Sequence, residues 1–213
     1  MKVLLAIPCG SGSTPIEFTT MLKTMWTPPS TAVTYLKRCR TDIARNKFAE
    51  TAIKGGYDYL FMIDDDNPPT YDCLNKMLKA DKDVICALVP KRVPGHEPCI
   101  FDEIKTDGKV TAYRHRLEFE DDVFEVDGIG TGVSLIKVDV LKKLTEVYGD
   151  PFDLEPVIHE GKKEVLSEDL VFSKRARECG FKLHCHGDVK IGHIGEHKFV
   201  EIHDNKGVTI KNG

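Results

Sequence analysis

Apolar and polar positions alternate with one sharp break. The run Tyr59-Leu60-Phe61-Met62-Ile63 is followed at once by Asp64-Asp65-Asp66 and then by Asn67-Pro68-Pro69. The run has the length and character of a strand buried on both faces, and the prolines end it. Residues 2–7, 84–89 and 133–137 read as further buried strands, and 32–36 as a shorter one. Helical spacing lies between them. Ile43, Ala44, Phe48 and Ala52 recur near it, with Thr41 or Asp42 to cap the helix and Gly55-Gly56 to end it. Residues 70–80 predict another helix with Tyr71, Leu74, Met77 and Leu78 inward, and 15–18 open one through about residue 23. This order predicts an α/β fold with a mainly parallel central sheet flanked by helices on both faces.

Beyond residue 89 the pattern loosens, punctuated by Pro94, Gly95, Pro98 and Gly108. Segments 110–113 and 123–126 are expected to pair as strands, in a region suited to acceptor-recognition loops. Gly128-Ile129-Gly130-Thr131-Gly132 leads into the strand at 133. Asp139 is expected to cap a short helix through Leu144, and Ser167 a clearer one ending at Gly180. Segments 181–184 and 189–191 read as short strands, and 198–210 as a hairpin around 204–207.

With 213 residues, 41% of them hydrophobic and 30% charged, the chain can bury one α/β core, and two full domains are not expected. The net charge is −4, and no basic tract or aromatic–basic interleaving appears, which disfavours nucleic acid as a partner. Seven scattered cysteines and no secretory signal imply reduced thiols in a cytoplasmic setting. No apolar stretch approaches membrane-spanning length.

Candidate chemistry gathers where strands leave the sheet, the edge at which open α/β sheets bind ligands. In an extended segment Asp64 and Asp66 point one way and Asp65 the other. Two same-side carboxylates about 5 Å apart repel by roughly 3 kcal/mol at an effective dielectric of about 20, a cost that a hard divalent cation relieves. A solvated acidic turn or a helix cap is the plainer alternative. Glu168 and Asp169 fall in a helix's first turn, where the helix dipole favours acids in any case; facing a pocket, one of them is placed to act as a general base. His193 lies in Gly192-His193-Ile194-Gly195. Carboxylates with one imidazole suit Mn²⁺ or Mg²⁺ better than Zn²⁺, with a diphosphate and waters completing the shell. The crowding of His184, Cys185, His186, His193 and His197 raises structural zinc, but apart from the His193/His197 gap the spacing matches no zinc finger. The loop Pro8-Cys9-Gly10-Ser11-Gly12-Ser13 offers free backbone N–H groups, without a Walker lysine or the third glycine of a dinucleotide fingerprint. Arg45-Asn46 lies one helix upstream of the acids, placed to reach a nucleotide, and Arg92 follows a strand end, placed for an acceptor or a phosphate.

Taken in order, FMIDDDNPP, the preceding DIARNKFAE, GTGVSLIK, SEDLVFSKRARECGF and the late IGHIG resemble a GT-A fold, family-2-like glycosyltransferase over residues 2–195. Length and opening are similar to a virus-encoded domain of that kind, which implies host cytoplasm. The resemblance implies a GT-A (Rossmann-like) domain over 1–213, with a nucleotide-sugar half to about residue 90, an acceptor and catalytic half to about 195, and a tail. The ending also suits a boundary inside a longer chain. A UDP-sugar donor held through Mn²⁺ or Mg²⁺ is implied, UDP-glucose by default or UDP-rhamnose or another UDP-hexose, with a carbohydrate or glycoprotein acceptor. Asp66 and His193 match metal ligands, Asp64 the acid that meets ribose or metal, and Asp169, beside Glu168, the base of inverting members. Pro8, Cys9, Gly10 and Arg45 would hold the nucleobase and phosphates. Three acids in a row leave the register open, so Asp65 shares the donor-binding role. A retaining course stays open. A sugar-phosphate nucleotidyltransferase and an inactive nucleotide-sugar-binding or carbohydrate-binding module are the rival readings.

Overall fold

The computed structural model describes residues 1–195, 198–204 and 207–212. Its first half reads β1 (Val3–Cys9), α1 (Ile16–Thr24), β2 (Thr31–Lys37), α2 (Thr41–Lys54), β3 (Tyr59–Ile63), α3 (Cys73–Ala80) and β4 (Val84–Leu88). There follow β5 (Ile100–Thr106), β6 (Lys109–His115), β7 (Val123–Val126), β8 (Gly128–Ile129), β9 (Val133–Lys137) and α4 (Val138–Tyr148). The chain continues with β10 (Glu155–His159), β11 (Lys162–Leu166), α5 (Glu168–Glu178), β12 (Leu183–Lys190), β13 (His193–Ile194), β14 (Lys198–Asp204) and β15 (Gly207–Asn212).

Seven strands form the central sheet in the order β2-β1-β3-β9-β4-β12-β7. β1 pairs parallel with β2 and β3, and β4 parallel with β12; β9 lies antiparallel between β3 and β4, and β7 antiparallel to β12. Five strands therefore share one direction, and the sheet is the mainly parallel, Rossmann-like one that the sequence predicts. Both faces are covered. Leu60 and Met62 of β3 face a core with Ala44, Phe48 and Ala52 of α2, Leu141 of α4 and Phe172 of α5. Phe61 and Ile63 face the opposite core with Phe18 of α1 and Leu74 and Met77 of α3. Burial on both sides is why these strands read as unbroken apolar runs. No helix among the described residues is long and apolar enough to cross a membrane.

The middle region departs from expectation. Segment 110–113 lies within β6, which pairs with β5, whereas β7 pairs with β12. β5, β6 and β8 form a small antiparallel sheet of their own, and β10 and β11 form a hairpin. The chain leaves the central sheet after β4, builds β5 and β6, touches the central sheet's edge as β7, adds β8 to the small sheet, and comes back between β3 and β4 as β9. Its return runs opposite to β3, so the start of β9 lies beside the end of β3, with Val133 opposite Ile63. The two short strands expected at 181–184 and 189–191 are one strand, β12, with a register shift between His186 and Lys190. Gly187 there has no room for a side chain against the Glu120 carbonyl, so the apparent break is a bulge. The expected caps also move: the N-cap positions of α2 and α4 are Arg40 and Lys137, without side-chain capping bonds. Helix α3 begins at Cys73, after Asp72. β14 and β15 pair antiparallel, as the expected hairpin does; Asn205 and Lys206 at its turn lie outside the described residues.

Candidate active site

The carboxyl ends of β1 and β3 and the loop after β4 open on a cleft of about 680 Å³, lined by Pro8, Gly10, Asp64, Asp65, Asp66 and Arg92 among others. The three acids are not extended. The Asp64 amide donates to the Gly132 carbonyl (2.7 Å) and the Asn67 amide to the Asp64 carbonyl (3.0 Å), which folds 64–67 into a turn. Strand alternation therefore does not set their directions, and each acid finds a different partner. Asp64 meets Arg45, Asp66 meets Arg92 and His193, and Asp65 lies beside Cys9, whose buried thiol donates to the Ser13 carbonyl at 3.5 Å. Burial and the adjacent acids Asp66 and Asp64 raise the Asp65 carboxyl above its usual range, with the nearby Cys9 thiol opposing.

Arg45 is the hub. Ala44 and Phe48 bury α2 against the sheet, and Arg45 enters beside them only 3% exposed. Its Nη1 and Nη2 donate to Asp64 Oδ1 and Oδ2, each at 3.2 Å, a bidentate fork. Nη1 also reaches the Thr131 carbonyl at 3.5 Å. Nε makes no hydrogen bond but lies 3.5 Å from Glu168 Oε1. Burial works against the guanidinium charge; Asp64, Glu168 and Asp169 together outweigh it and keep Arg45 protonated. The direct nucleotide contact expected for Arg45 does not fit a side chain buried this deeply. It stands behind the acids and orients them. Its neighbour Asn46 is likewise engaged, bonding both the amide and the carbonyl of Phe152 at 3.0 and 2.7 Å.

Asp66 Oδ2 accepts from Arg92 Nη1 at 3.0 Å and lies 3.2 Å from His193 Nε2. Burial pushes the Asp66 carboxyl up, but His193 and Arg92 outweigh it and hold it below the usual range. The other ring nitrogen, Nδ1, sits 2.8 Å from the Pro90 carbonyl, which can only accept. Nδ1 therefore carries a proton; burial works against a second one, but Asp66 outweighs it and raises the His193 imidazole above its usual range, so Nε2 donates to Asp66 in the free site and would give up that proton to bind a cation. A histidine oriented by a backbone carbonyl in this way is the usual arrangement behind a metal ligand. The pair fits a divalent cation with mixed O and N preference. Among the described residues no three His, Cys, Asp or Glu side chains converge as a cage, so the remaining ligands would come from phosphate oxygens and water. The same finding gives the zinc reading of the His184–His193 region no support; His197 lies outside the described residues.

Ser167 precedes α5 but does not cap it. Its hydroxyl donates to Asp169 Oδ1 at 2.5 Å, and the Leu170 amide donates to the same oxygen at 3.2 Å. Oδ2 lies toward Gly130. Glu168 turns to Arg45, and burial together with Asp169 pushes its carboxyl above the usual range, with Arg45 opposing. Glu168 is drawn to the buried guanidinium, whereas Asp169 Oδ2 turns toward Gly130 rather than to an internal cation, which makes Asp169 the better placed of the two to take a proton.

The glycine segment 128–132, in sequence only a lead-in to β9, packs directly against the acids of the site. A Cβ at Gly132 would sit 2.7 Å from Asn67 Oδ1 and 3.2 Å from Asp64 Oδ2, and one at Gly130 2.9 Å from the Cys99 Cβ and 3.9 Å from Asp169 Oδ2. Glycines at alternate positions just before a strand are the signal. Gly132→Ala is expected to destabilise the fold by about 1–3 kcal/mol, the cost of overpacking, read as a lowered Tm. An unchanged Tm would mean that the turn yields freely.

A larger groove, of about 810 Å³, runs past Lys105, Lys174, Arg177 and Lys182. Four of its five cations among the described residues are committed to neighbouring acids, Lys105 to Glu103 (2.8 Å), Lys174 to Glu155 (2.6 Å), Lys182 to Glu125 (2.7 Å) and Arg177 to Asp127 (2.9 Å), which leaves Lys109. The acid-lined cleft is the better candidate.

No protein-family model and no curated protein matches the sequence. Solved structures do. The chain is similar to A197 from STIV, with 17% identity and a TM-score of 0.61 over 100% of this chain and 95% of A197. It is more distantly similar to mannose-1-phosphate geranyltransferase from Thermus thermophilus, with 15% identity and a TM-score of 0.43 over 68% of this chain and 60% of that one. The likeness to A197 shows a shared fold across the whole chain; the second likeness adds nothing to it.

Proposed function

We propose that this protein is a metal-dependent glycosyltransferase of GT-A type that moves a hexose from a UDP-sugar to an acceptor hydroxyl on a carbohydrate or glycoprotein. One observation carries the reading: the buried guanidinium of Arg45 gathers the strand-end acid Asp64 and the helix-start acids Glu168 and Asp169 at one rim of the sheet. UDP-glucose is the donor expected first, with UDP-rhamnose or another UDP-hexose next.

The loop at Pro8, Cys9 and Gly10, with Asp65 opposite, receives the nucleoside. Asp66 and His193 hold the cation, and Asp64, oriented by Arg45, completes the acidic side of the donor site. Bound Mn²⁺ or Mg²⁺ supplies positive charge against the diphosphate and lowers the cost of its departure. Asp169 takes the proton from the acceptor hydroxyl as that oxygen bonds to the anomeric carbon. The bond from that carbon to the diphosphate breaks on the opposite face, so the anomeric centre inverts. Glu168, spent on Arg45, keeps the helix start in register.

UDP release from a UDP-sugar, followed with Mn²⁺ and after chelation by EDTA, tests the reading. Release is expected with Mn²⁺ and its loss with EDTA. Pyrophosphate release from UTP and a sugar phosphate would instead favour a nucleotidyltransferase, and UDP-sugar binding without any release a binding module. Product NMR of the anomeric centre decides inversion against retention.

A further inference from the structure

Arg92 is the one basic side chain among the described residues lining the acid cleft. It comes from a short loop closed at its base by the Pro90–Pro98 bridge and by the Lys91 amide donating to the Glu97 carbonyl at 2.9 Å. The loop is tied again near its tip by the His96 amide donating to the Val93 carbonyl at 3.1 Å. The Pro90 carbonyl at that base also fixes the ring of His193. One loop therefore orients the histidine and delivers the arginine, and both arrive at one atom, Asp66 Oδ2. Arg92 itself is 58% exposed, against 23% for Asp66 and 17% for His193. Its side chain can swing across the cleft while the loop base stays in place.

We propose that Arg92 is a built-in counter-ion that competes with the divalent cation for Asp66, and that on donor binding it transfers its guanidinium to the donor diphosphate. This rests on the glycosyltransferase reading above and deepens it. A carboxylate oxygen saturated by a guanidinium is a poorer ligand for a cation, so the free site resists metal. A diphosphate offers the guanidinium a bidentate partner, better matched than one carboxylate oxygen. Its arrival frees Asp66 as the cation enters, which couples metal binding to donor binding.

The test uses Mn²⁺ alone, read by the EPR signal of the free ion, and UDP titrated at fixed saturating Mn²⁺, on wild type, Arg92→Ala and Arg92→Lys. Arg92→Ala is expected to bind Mn²⁺ about fivefold tighter without nucleotide, the upper range for a partly exposed ion pair. The same variant is expected to bind UDP about tenfold more weakly, as loss of a charge-assisted bond predicts. Arg92→Lys should fall between the two in both assays. A merely structural arginine would shift both affinities in the same direction. Unchanged Mn²⁺ affinity, or unchanged UDP affinity, overturns the proposal. Asp66→Asn separates this failure from failure of the functional reading: if wild type binds no Mn²⁺ that Asp66→Asn removes, with or without UDP, the metal-dependent site itself falls.

Discussion

Asp169→Asn is expected to lower sugar transfer by about two to four orders of magnitude, the range for a positioned general base, while UDP-sugar binding stays nearly unchanged. The substitution keeps size and shape. The amide oxygen can still accept from the Ser167 hydroxyl and the Leu170 amide, so the first turn of α5 should hold its place. What is lost is the ability to take a proton at the oxygen facing Gly130. Single-turnover rates and an equilibrium titration with UDP-sugar separate the two effects. Binding and rate falling together would remove the base role and leave Asp169 a structural acid.

The second large effect is on stability. Arg45→Met should cost about 3–5 kcal/mol, the range for removing one partner of a buried ion pair. The methionine fills similar space, so a cavity is not the cause. The cause is that Asp64, Glu168 and Asp169 lose the charge that lets them share one rim. Arg45→Lys keeps a charge but not the fork to Asp64, and its melting temperature should lie between wild type and Arg45→Met. The pH dependence gives a further check. Glu168 already titrates above its ordinary range, from burial and Asp169, with Arg45 pulling it down. A carboxyl raised in the folded state contributes stability that is full below its unfolded pKa and is lost as pH rises through the folded pKa. Without Arg45 that rise is larger, so the deficit of Arg45→Met should be widest near neutral pH and shrink as the solution is acidified toward the ordinary carboxyl range. A deficit that does not change with pH would mean that packing, not charge, is what Arg45 supplies.

The residues of the candidate site are legible in the sequence to different depths. The acid tip of β3 can be read because a buried strand writes its apolar character locally and its end is marked by charge. His193 and Asp169 stand out for the same kind of reason, a glycine-flanked imidazole and an acid at a helix start. Arg45 is visible too, but its task is not. An arginine on a helix has the same sequence whether it faces solvent, a phosphate or a buried carboxylate. The segment 128–132 reads as a lead-in because what packs against a glycine lies elsewhere in the chain. Ser167 reads as a cap, yet its hydroxyl goes to the Asp169 side chain. That choice between two local acceptors depends on where Asp169 is drawn by its surroundings.

By itself the amino-acid order determined the α/β class, the buried strands, most of the helices and the chemical inventory of the rim, because periodicity and chain termination act over a few residues. The return of β9 between β3 and β4, the turn that sends Asp64, Asp65 and Asp66 to three different partners, and the shared hold of Arg92 and His193 on one oxygen were decided only by the tertiary structure. These depend on contacts between distant segments, and the energy of a charge is set by the partners and the depth of burial that such contacts create.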